Sequence, residues 1–216
     1  MAKRPDPKAT LEAIFDADRQ LRLRERELLA GDEKSVAELL SREVQQALEL
    51  EDLEESSMRC QRLADLCAQV PGPAMVDALI ALIDLAPTSA RVEAYDALLD
   101  AAYDRYAEVA RGIERALDNE RHLSAMGELA FLLAEVQEPS ALPLIARVLK
   151  IDDVRVQASA IEALVTLGDA AAIEHLEAFE EDERQLPPDP EDPGFEQGTL
   201  GELAAEAIEA LEQSVD

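Results

Sequence analysis

Hydrophobic residues recur along this chain mainly at spacings of three and four, the period that places them on one side of an α-helix. The clearest such runs predict helices over residues 35–48, 74–85, 154–167 and 199–213. No segment alternates strictly between apolar and polar residues, as a half-buried strand would. The pattern therefore predicts an all-α protein.

The first third of the chain is predicted to consist of a tail and three helices. Residues 1–9 have no periodic apolar positions and are expected to form a flexible tail. Thr10 is the predicted N-cap of the first helix, and Ser35 with Glu38 has the spacing of a capping box at the start of the second. Together these helices are predicted to form an N-terminal helical segment over residues 10–70.

The middle of the chain leaves two alternatives open. From residue 90 to residue 117 the helical period continues without interruption, and no Pro or Gly occurs before Gly112. This stretch is either one long helix or two helices joined by a sharp turn near Asp104. The periodicity fits both.

One stretch of the sequence occurs twice, which bears directly on the architecture. Residues 154–164 recur 47 positions later as residues 201–211, and the pentapeptide A-I-E-A-L is identical in the two copies. A weaker copy lies 31 positions upstream of the first, so the two spacings differ by 16 residues. The acidic, proline-rich run 182–197 has this length and cannot be helical. It is predicted to be a loop inserted into the last repeat.

Residues 138–169 combine a proline near the start of a helix, an acidic turn followed by arginine, a row of small residues and a Gly-Asp junction. In that order the residues are Pro139, Asp152 to Arg155, then Ala158, Ala160 and Ala163, and finally Gly168 with Asp169. This combination resembles the HEAT and HEAT-like repeat family, most clearly over residues 138–176. The resemblance implies a short α-solenoid of stacked antiparallel helix pairs, here over residues 73–213. Tetratricopeptide-type helix pairs are the alternative fold.

The charge of the chain narrows the range of partners. Lys and Arg together number 20 and Asp and Glu 48, which gives a formal net charge of −28. Such a surface repels phosphate backbones and anionic lipid headgroups, so no nucleic-acid partner is expected. Half of the excess lies in residues 174–216, which carry 15 acidic side chains and one basic one. The acidity either maintains solubility or steers a basic partner to the surface.

Candidate residues for catalysis or metal binding are few. The two histidines, His122 and His175, are far apart in sequence, and Cys60 and Cys67 are separated by six residues, so no common zinc motif is present. The two cysteines have the spacing of small core residues on one helix face. The acidic loop has calcium-ligand residue types without the order that fixes their geometry. No catalytic residue, metal or cofactor is therefore predicted.

Aligning the repeats places a row of carboxylates on the second helices of the pairs. In stacked helix pairs these helices commonly line an extended binding surface. We therefore predict a non-catalytic adaptor or scaffold that binds a basic segment of a partner protein. Phe195, the lone aromatic residue of the acidic loop, either pins that loop to the solenoid or contacts the partner. The carboxylates of the row are Glu128, Glu162 and Glu209, flanked by Glu135, Glu202 and Glu206.

Two further functions stay open as alternatives to the adaptor. One alternative is a module that forms a homo-oligomer or docks a partner through its N-terminal helices. A minor alternative, implied by the resemblance, is a HEAT-like enzyme of the lyase type. No secretory signal is recognisable, and no run reaches the roughly 18 apolar residues that cross a bilayer, so we expect a cytoplasmic protein. The excess of Arg over Lys in an Ala-rich chain suggests a bacterial source.

Overall fold

The computed structural model describes residues 6–187 and 198–214. Within these residues the chain forms α-helices joined by short turns, and the one β-bridge pairs Gln185 with Thr199. The predicted all-α class is confirmed. The helices are α1 (Pro7–Leu29), α2 (Glu33–Leu48), α3 (Leu53–Gln69), α4 (Pro73–Leu85), α5 (Thr88–Asp118), α6 (Met126–Val136), α7 (Ala141–Val148), α8 (Val154–Leu167), α9 (Ile173–Leu176) and α10 (Leu200–Ser214).

Helix α5 contains the sharp turn that the sequence left open near Asp104. Arg105 has φ −141° and ψ 45°, which is not helical, and it divides α5 into a first half, residues 88–104, and a second half, residues 106–118. The guanidinium of Arg105 donates a hydrogen bond of 2.8 Å to the carbonyl oxygen of Ala68. This contact with the end of α3 holds the turn in place, so two helices follow each other without a loop.

The helices stack in two rows. We call α2, α4, the second half of α5 and α7 the first-helix row, and we call α3, the first half of α5, α6, α8 and α10 the second-helix row. Side-chain contacts between neighbours in a row join residues about one repeat apart in sequence. Examples are Ser57 with Ser89 at 2.7 Å, Arg91 with Glu128 at 2.6 Å, and Asp77 with Arg115 at 2.6 Å. This arrangement confirms the predicted stack of antiparallel helix pairs.

A continuous apolar core runs between the two rows, from Val36 in α2 to Leu211 in α10. Small residues allow the helices to approach closely. A Cβ atom built on Gly127 in α6 would lie 2.9 Å from the Cβ atom of Ser159 in α8, so only glycine fits at this point. Ala160 and Ala163, from the row of small residues in the repeat motif, are fully buried, and Ala158 of the same row is partly buried.

The two cysteines are core residues, as predicted. Cys60 and Cys67 both lie in α3 and both are fully buried. Burial disfavours the charged thiolate and raises the pKa of Cys67 to about 12. Because the thiolate is the reactive form, this environment leaves the Cys67 side chain inert at neutral pH.

Helix α1 begins earlier than predicted. Its N-cap is Asp6, whose carboxylate accepts a hydrogen bond of 3.1 Å from the backbone N–H of Lys8. Pro7 fits the first turn because its missing N–H would have no partner there. Thr10, the predicted N-cap, therefore lies inside the helix, and residues 7–9 belong to α1. Residues 1–5 of the predicted tail lie outside the described part of the chain.

Helix α2 also starts differently from the prediction. Asp32 is the N-cap, and its carboxylate accepts hydrogen bonds from the backbone N–H of Ser35 at 3.0 Å and from the Ser35 hydroxyl at 2.8 Å. The predicted capping box of Ser35 and Glu38 is therefore wrong. A charged oxygen three residues upstream satisfies the same amide that a box would need.

The described ends of the predicted 182–197 insertion are fixed to the helix stack. Arg184 donates hydrogen bonds to Asp182 at 2.6 Å, to Asp152 at 3.0 Å and to the side chain of Gln157 at 2.8 Å. Its own carbonyl oxygen accepts a hydrogen bond from the first residue of α10. Phe195 lies outside the described residues, so its role stays a prediction.

Candidate functional site

The first half of α5 and helix α6 together present an exposed face that mixes aromatic and acidic side chains. Its members recur at helical spacings of three and four, which keeps them on one side of each helix. Near the N-terminal ends of the two helices it contains a shallow groove of about 540 Å³ lined by residues of both. We call this surface the α5–α6 face and define it by Val92, Tyr95, Asp96, Asp100, Tyr103, Glu128, Phe131 and Glu135.

Two of the predicted carboxylates lie on the α5–α6 face, and both are joined to α5. Glu128 accepts a hydrogen bond of 2.6 Å from the guanidinium of Arg91, and the pair is only partly exposed. Glu135 accepts a hydrogen bond of 3.1 Å from the hydroxyl of Tyr103. Arg91 therefore balances one carboxylate of the face, while the charge of Glu135 is balanced by no cation within the described residues.

The carboxylates make the surroundings of the two tyrosines strongly negative. Burial is the largest cause that raises the pKa of Tyr95 to about 12, and the nearby carboxylates of Glu135, Asp96 and Glu128 add to it. The pKa of Tyr103 is raised by burial first and then by its hydrogen bond to Glu135. Both side chains keep their protons because burial and the nearby carboxylates disfavour a phenolate. The same negative field attracts a cation.

Titration of the tyrosines tests this geometry. We expect the phenol of Tyr95 to ionise near pH 12, whereas a tyrosine in an unfolded chain ionises near pH 10. Since the folded state holds this proton more tightly, the stability of the fold should fall as the pH rises from about 10 to about 12. Replacing Glu135 by glutamine removes a repelling charge and should lower the pKa of Tyr95.

The measurement is the ultraviolet absorbance of phenolate as a function of pH, with circular dichroism to follow unfolding. The difference between the unmodified chain and Tyr95→Phe isolates the signal of Tyr95. Ionisation of Tyr95 at its ordinary pKa, or no response to Glu135→Gln, would contradict the described cluster.

The remaining predicted carboxylates lie on the two following helices of the second-helix row. Glu162 on α8 and Glu206 on α10 are exposed, and Glu209 on α10 accepts a hydrogen bond of 3.0 Å from Gln213. Helices α6, α8 and α10 are neighbours in the row, so these residues continue its acidic side. No hydrogen bond or ion pair of the described residues links them to Glu128 or Glu135.

Glu202 has a structural contact of its own. Its carboxylate accepts a hydrogen bond of 2.8 Å from the backbone N–H of Thr199, and its own N–H donates one of 3.1 Å to the Thr199 hydroxyl oxygen. This reciprocal pair is a capping box at the start of α10. Binding to a partner stays a prediction for Glu202, and a partner would have to compete with this cap.

The half of the face that belongs to α5 was not predicted from the sequence. Tyr95, Asp96, Asp100 and Tyr103 lie upstream of residues 138–176, where the resemblance to the repeat family is clearest. A signal was nevertheless present, since acidic and aromatic residues follow each other at helical spacing along the first half of α5. The sequence pattern does not show that α6 packs beside the first half of α5.

A second polar cluster lies on the other side of the stack, where α4 meets the turn before α6. Asp84 accepts a hydrogen bond from the hydroxyl of Ser124 and lies 2.9 Å from Nδ1 of His122. In a nucleophile–base pair the hydroxyl would bond to the imidazole, but here both groups converge on the carboxylate. The cluster joins two elements of the fold, and the lyase-type alternative stays a prediction without support from it.

Residues 6–187 and 198–214 contain neither a metal-binding cluster nor a membrane-spanning helix. In this part of the chain no group of three or more His, Cys, Asp or Glu side chains is placed to hold a metal ion. None of the helices there combines the length and the apolar composition needed to cross a bilayer.

These observations define an all-α protein of stacked helix pairs with an exposed acidic and aromatic face. Residues 116–186 match the family model for HEAT repeats, which confirms the resemblance predicted from the sequence. HEAT repeats generally mediate protein–protein interactions and are typically non-catalytic. No curated protein matches the chain.

Proposed function

We propose that this protein is a non-catalytic adaptor that binds a basic segment of a partner protein along its second-helix row, centred on the α5–α6 face. The observation that carries the proposal is the cluster of Tyr95 and Tyr103 with the carboxylates of Asp96, Asp100 and Glu135 on one exposed surface. The presence of HEAT repeats supports the general class of function, since such repeats bind other proteins.

The chemistry of the face suits lysine and arginine side chains. A carboxylate attracts the charged end of such a side chain, and an aromatic ring binds a cation over its face with about 0.5 to 1 kcal/mol at an exposed site. The apolar groove between Val92 and Phe131 offers space for the aliphatic stem. A basic segment would therefore gain both charge pairing and apolar contact on the same surface.

The acidic side chains of α8 and α10 support an extended binding path. Glu162, Glu206 and Glu209 follow the face in the order in which the helices stack. A segment lying across the row would pass from the aromatic cluster to these exposed carboxylates. The net charge of −28 would steer a basic partner toward the protein, which raises the association rate more than the residence time.

The natural fluorescence of the chain provides a test. The protein has no Trp and three Tyr residues, of which Tyr95 and Tyr103 lie on the α5–α6 face. A short peptide rich in Lys and Arg, without aromatic residues, is expected to change the tyrosine emission on binding. The dissociation constant should rise about tenfold on going from low to physiological salt, because exposed charge pairs are screened.

Two controls decide the interpretation. A peptide of the same length rich in Glu should leave the emission unchanged. The triple variant Glu162→Lys, Glu206→Lys and Glu209→Lys should weaken a long basic peptide more than a short one if the binding path extends over α8 and α10. Equal binding of the acidic and basic peptides, or an affinity that does not depend on salt, would contradict the proposal.

A further inference from the structure

Helix α1 differs from the other long helices in its burial. It contains no buried residue, although it is 23 residues long. Five of the eleven large hydrophobic side chains that are exposed in the described part of the chain belong to it. They are Leu11, Ile14, Phe15, Leu21 and Leu23, with exposed fractions between 37 and 58 %.

Most of these side chains form one stripe along α1. Ile14, Leu21 and Leu28 follow each other at intervals of seven, and Leu11 and Phe15 lie beside them at helical spacing. Leu28 packs partly against the core of the protein. The stripe thus begins as an anchored contact at the end of α1, and Leu21 borders a groove that residues of α2 and α3 also line. Beyond it, Leu11, Ile14 and Phe15 are exposed in the described part of the chain.

The anchored end of α1 is also held by charge. Glu25 forms an ion pair of 2.9 Å with Arg62 of α3, and the Glu25 side chain is mostly buried. Residues 7–23, which precede this contact, are exposed throughout. The free part of the stripe is therefore presented by a helix whose other end is fixed to the stack.

The charges of α1 indicate what covers the stripe. The helix carries five basic and five acidic side chains, so it has no net charge in a chain of −28. Residues 7–18 contain three acidic side chains and one basic one, whereas residues 19–29 contain four basic and two acidic ones. Two copies of α1 placed antiparallel bring each acidic half against a basic half. A parallel pair would place like charges together.

We propose that two copies of this chain associate through antiparallel pairing of their α1 helices. With Leu21 of each copy opposite Ile14 and Phe15 of the other, residues 7–18 of each helix lie along residues 19–29 of the other. Each contact then occurs twice, as a two-fold interface requires.

A membrane surface fits this helix less well than a second copy. An amphipathic helix that binds anionic lipid carries basic residues along its whole polar face. Here the half of α1 that is farther from the body is acidic, and the body itself carries the remaining charge of the chain, which repels anionic headgroups. The charge order along α1 is complementary to itself.

Sedimentation equilibrium of the full chain over a range of concentrations tests the proposal. The unmodified protein is expected to be a dimer, and the double variant Ile14→Glu with Phe15→Glu a monomer at every concentration. Leu23→Glu is the matched control, because Leu23 is 45 % exposed but lies on the opposite side of α1. It should leave the dimer unchanged. A monomeric unmodified chain, or a dimer that survives the double variant, overturns the proposal.

Charge exchange tests the antiparallel register. Glu12→Arg with Asp16→Arg makes the acidic half of α1 basic, and Arg24→Glu with Arg26→Glu makes the basic half acidic. Each pair of substitutions should weaken the dimer about tenfold, and all four together should restore it, because each helix then again has one acidic and one basic half. Failure of the fourfold variant to restore the dimer overturns the antiparallel pairing. Flotation with neutral or anionic vesicles that depends on Ile14 and Phe15, in a chain that stays monomeric, overturns it in favour of lipid binding.

This inference is independent of the adaptor proposal. The dimer depends mainly on an apolar stripe, so moderate salt should leave it intact, whereas salt weakens capture of a basic peptide. Because α1 has no buried residue, the variants should not unfold the stack, and circular dichroism checks this.

Discussion

Replacing Leu132 by alanine is expected to lower the free energy of unfolding by about 3 to 4 kcal/mol. Leu132 is fully buried in α6, and α6 packs against α5, α7 and α8. Removing the side chain leaves a cavity that surrounding helices, each fixed by its own neighbours, cannot close. Urea denaturation followed by circular dichroism measures the change, provided that the transition remains two-state.

The same substitution at an exposed leucine is the matched control for this prediction. Leu53, at the start of α3, is 72 % exposed, and Leu53→Ala should change the free energy of unfolding by less than about 0.5 kcal/mol. Equal losses for the two variants would mean that α6 does not lie at the centre of a packed stack.

Reversing the charges of Asp96 and Glu135 to lysine is expected to weaken the binding of a basic peptide about 100-fold. Each substitution removes an attractive carboxylate and adds a repulsive ammonium group on the α5–α6 face. Glu135→Lys also removes the acceptor of the Tyr103 hydroxyl. Isothermal titration calorimetry at low salt measures the dissociation constant without relying on tyrosine emission.

Two comparisons separate the face from the general charge of the protein. Glu38→Lys with Glu114→Lys makes the same change in net charge on the first-helix row, where both residues are exposed, and should weaken binding less than about threefold. Arg91→Ala removes the cation that pairs with Glu128 and should strengthen binding. Equal effects of the two double reversals would show that only net charge matters.

The helices themselves could be predicted because their signals are local. The apolar period gave residues 154–167 as a helix, and α8 spans Val154–Leu167. Ala160 and Ala163, which the repeat motif includes in its row of small residues, are both fully buried. Periodicity and residue size are properties of short stretches, so the sequence displays them directly.

Details that depend on competing or distant partners were not predictable. The N-caps of α1 and α2 are Asp6 and Asp32 and not Thr10 and Ser35. In each case a carboxylate earlier in the chain accepts a hydrogen bond from a backbone N–H of the first turn. The turn in α5 occurs at an arginine, without Pro or Gly, because the carbonyl oxygen of Ala68 from the preceding repeat holds it. Such contacts exist only once the repeats have stacked.

The candidate site also combines residues that local sequence signals predicted with residues that only helix packing brings together. Repeat alignment placed Glu128 and Glu135 on the second-helix row, and both lie on the α5–α6 face. Their aromatic partners Tyr95 and Tyr103 come from a helix about one repeat earlier, and only the packing of α5 against α6 brings them together. The boundary between the N-terminal helical segment and the solenoid, predicted at residues 70–73, stays a prediction. Helices on its two sides pack against each other.

The most direct test of the proposed binding surface is a nuclear magnetic resonance spectrum recorded with a basic peptide that carries a spin label. Amide signals near the bound label lose intensity, so the pattern locates the peptide on the protein. We expect losses in the first half of α5 and in α6, continuing into α8. Losses confined to α1 or to the first-helix row, or spread evenly over the chain, would contradict the proposed surface.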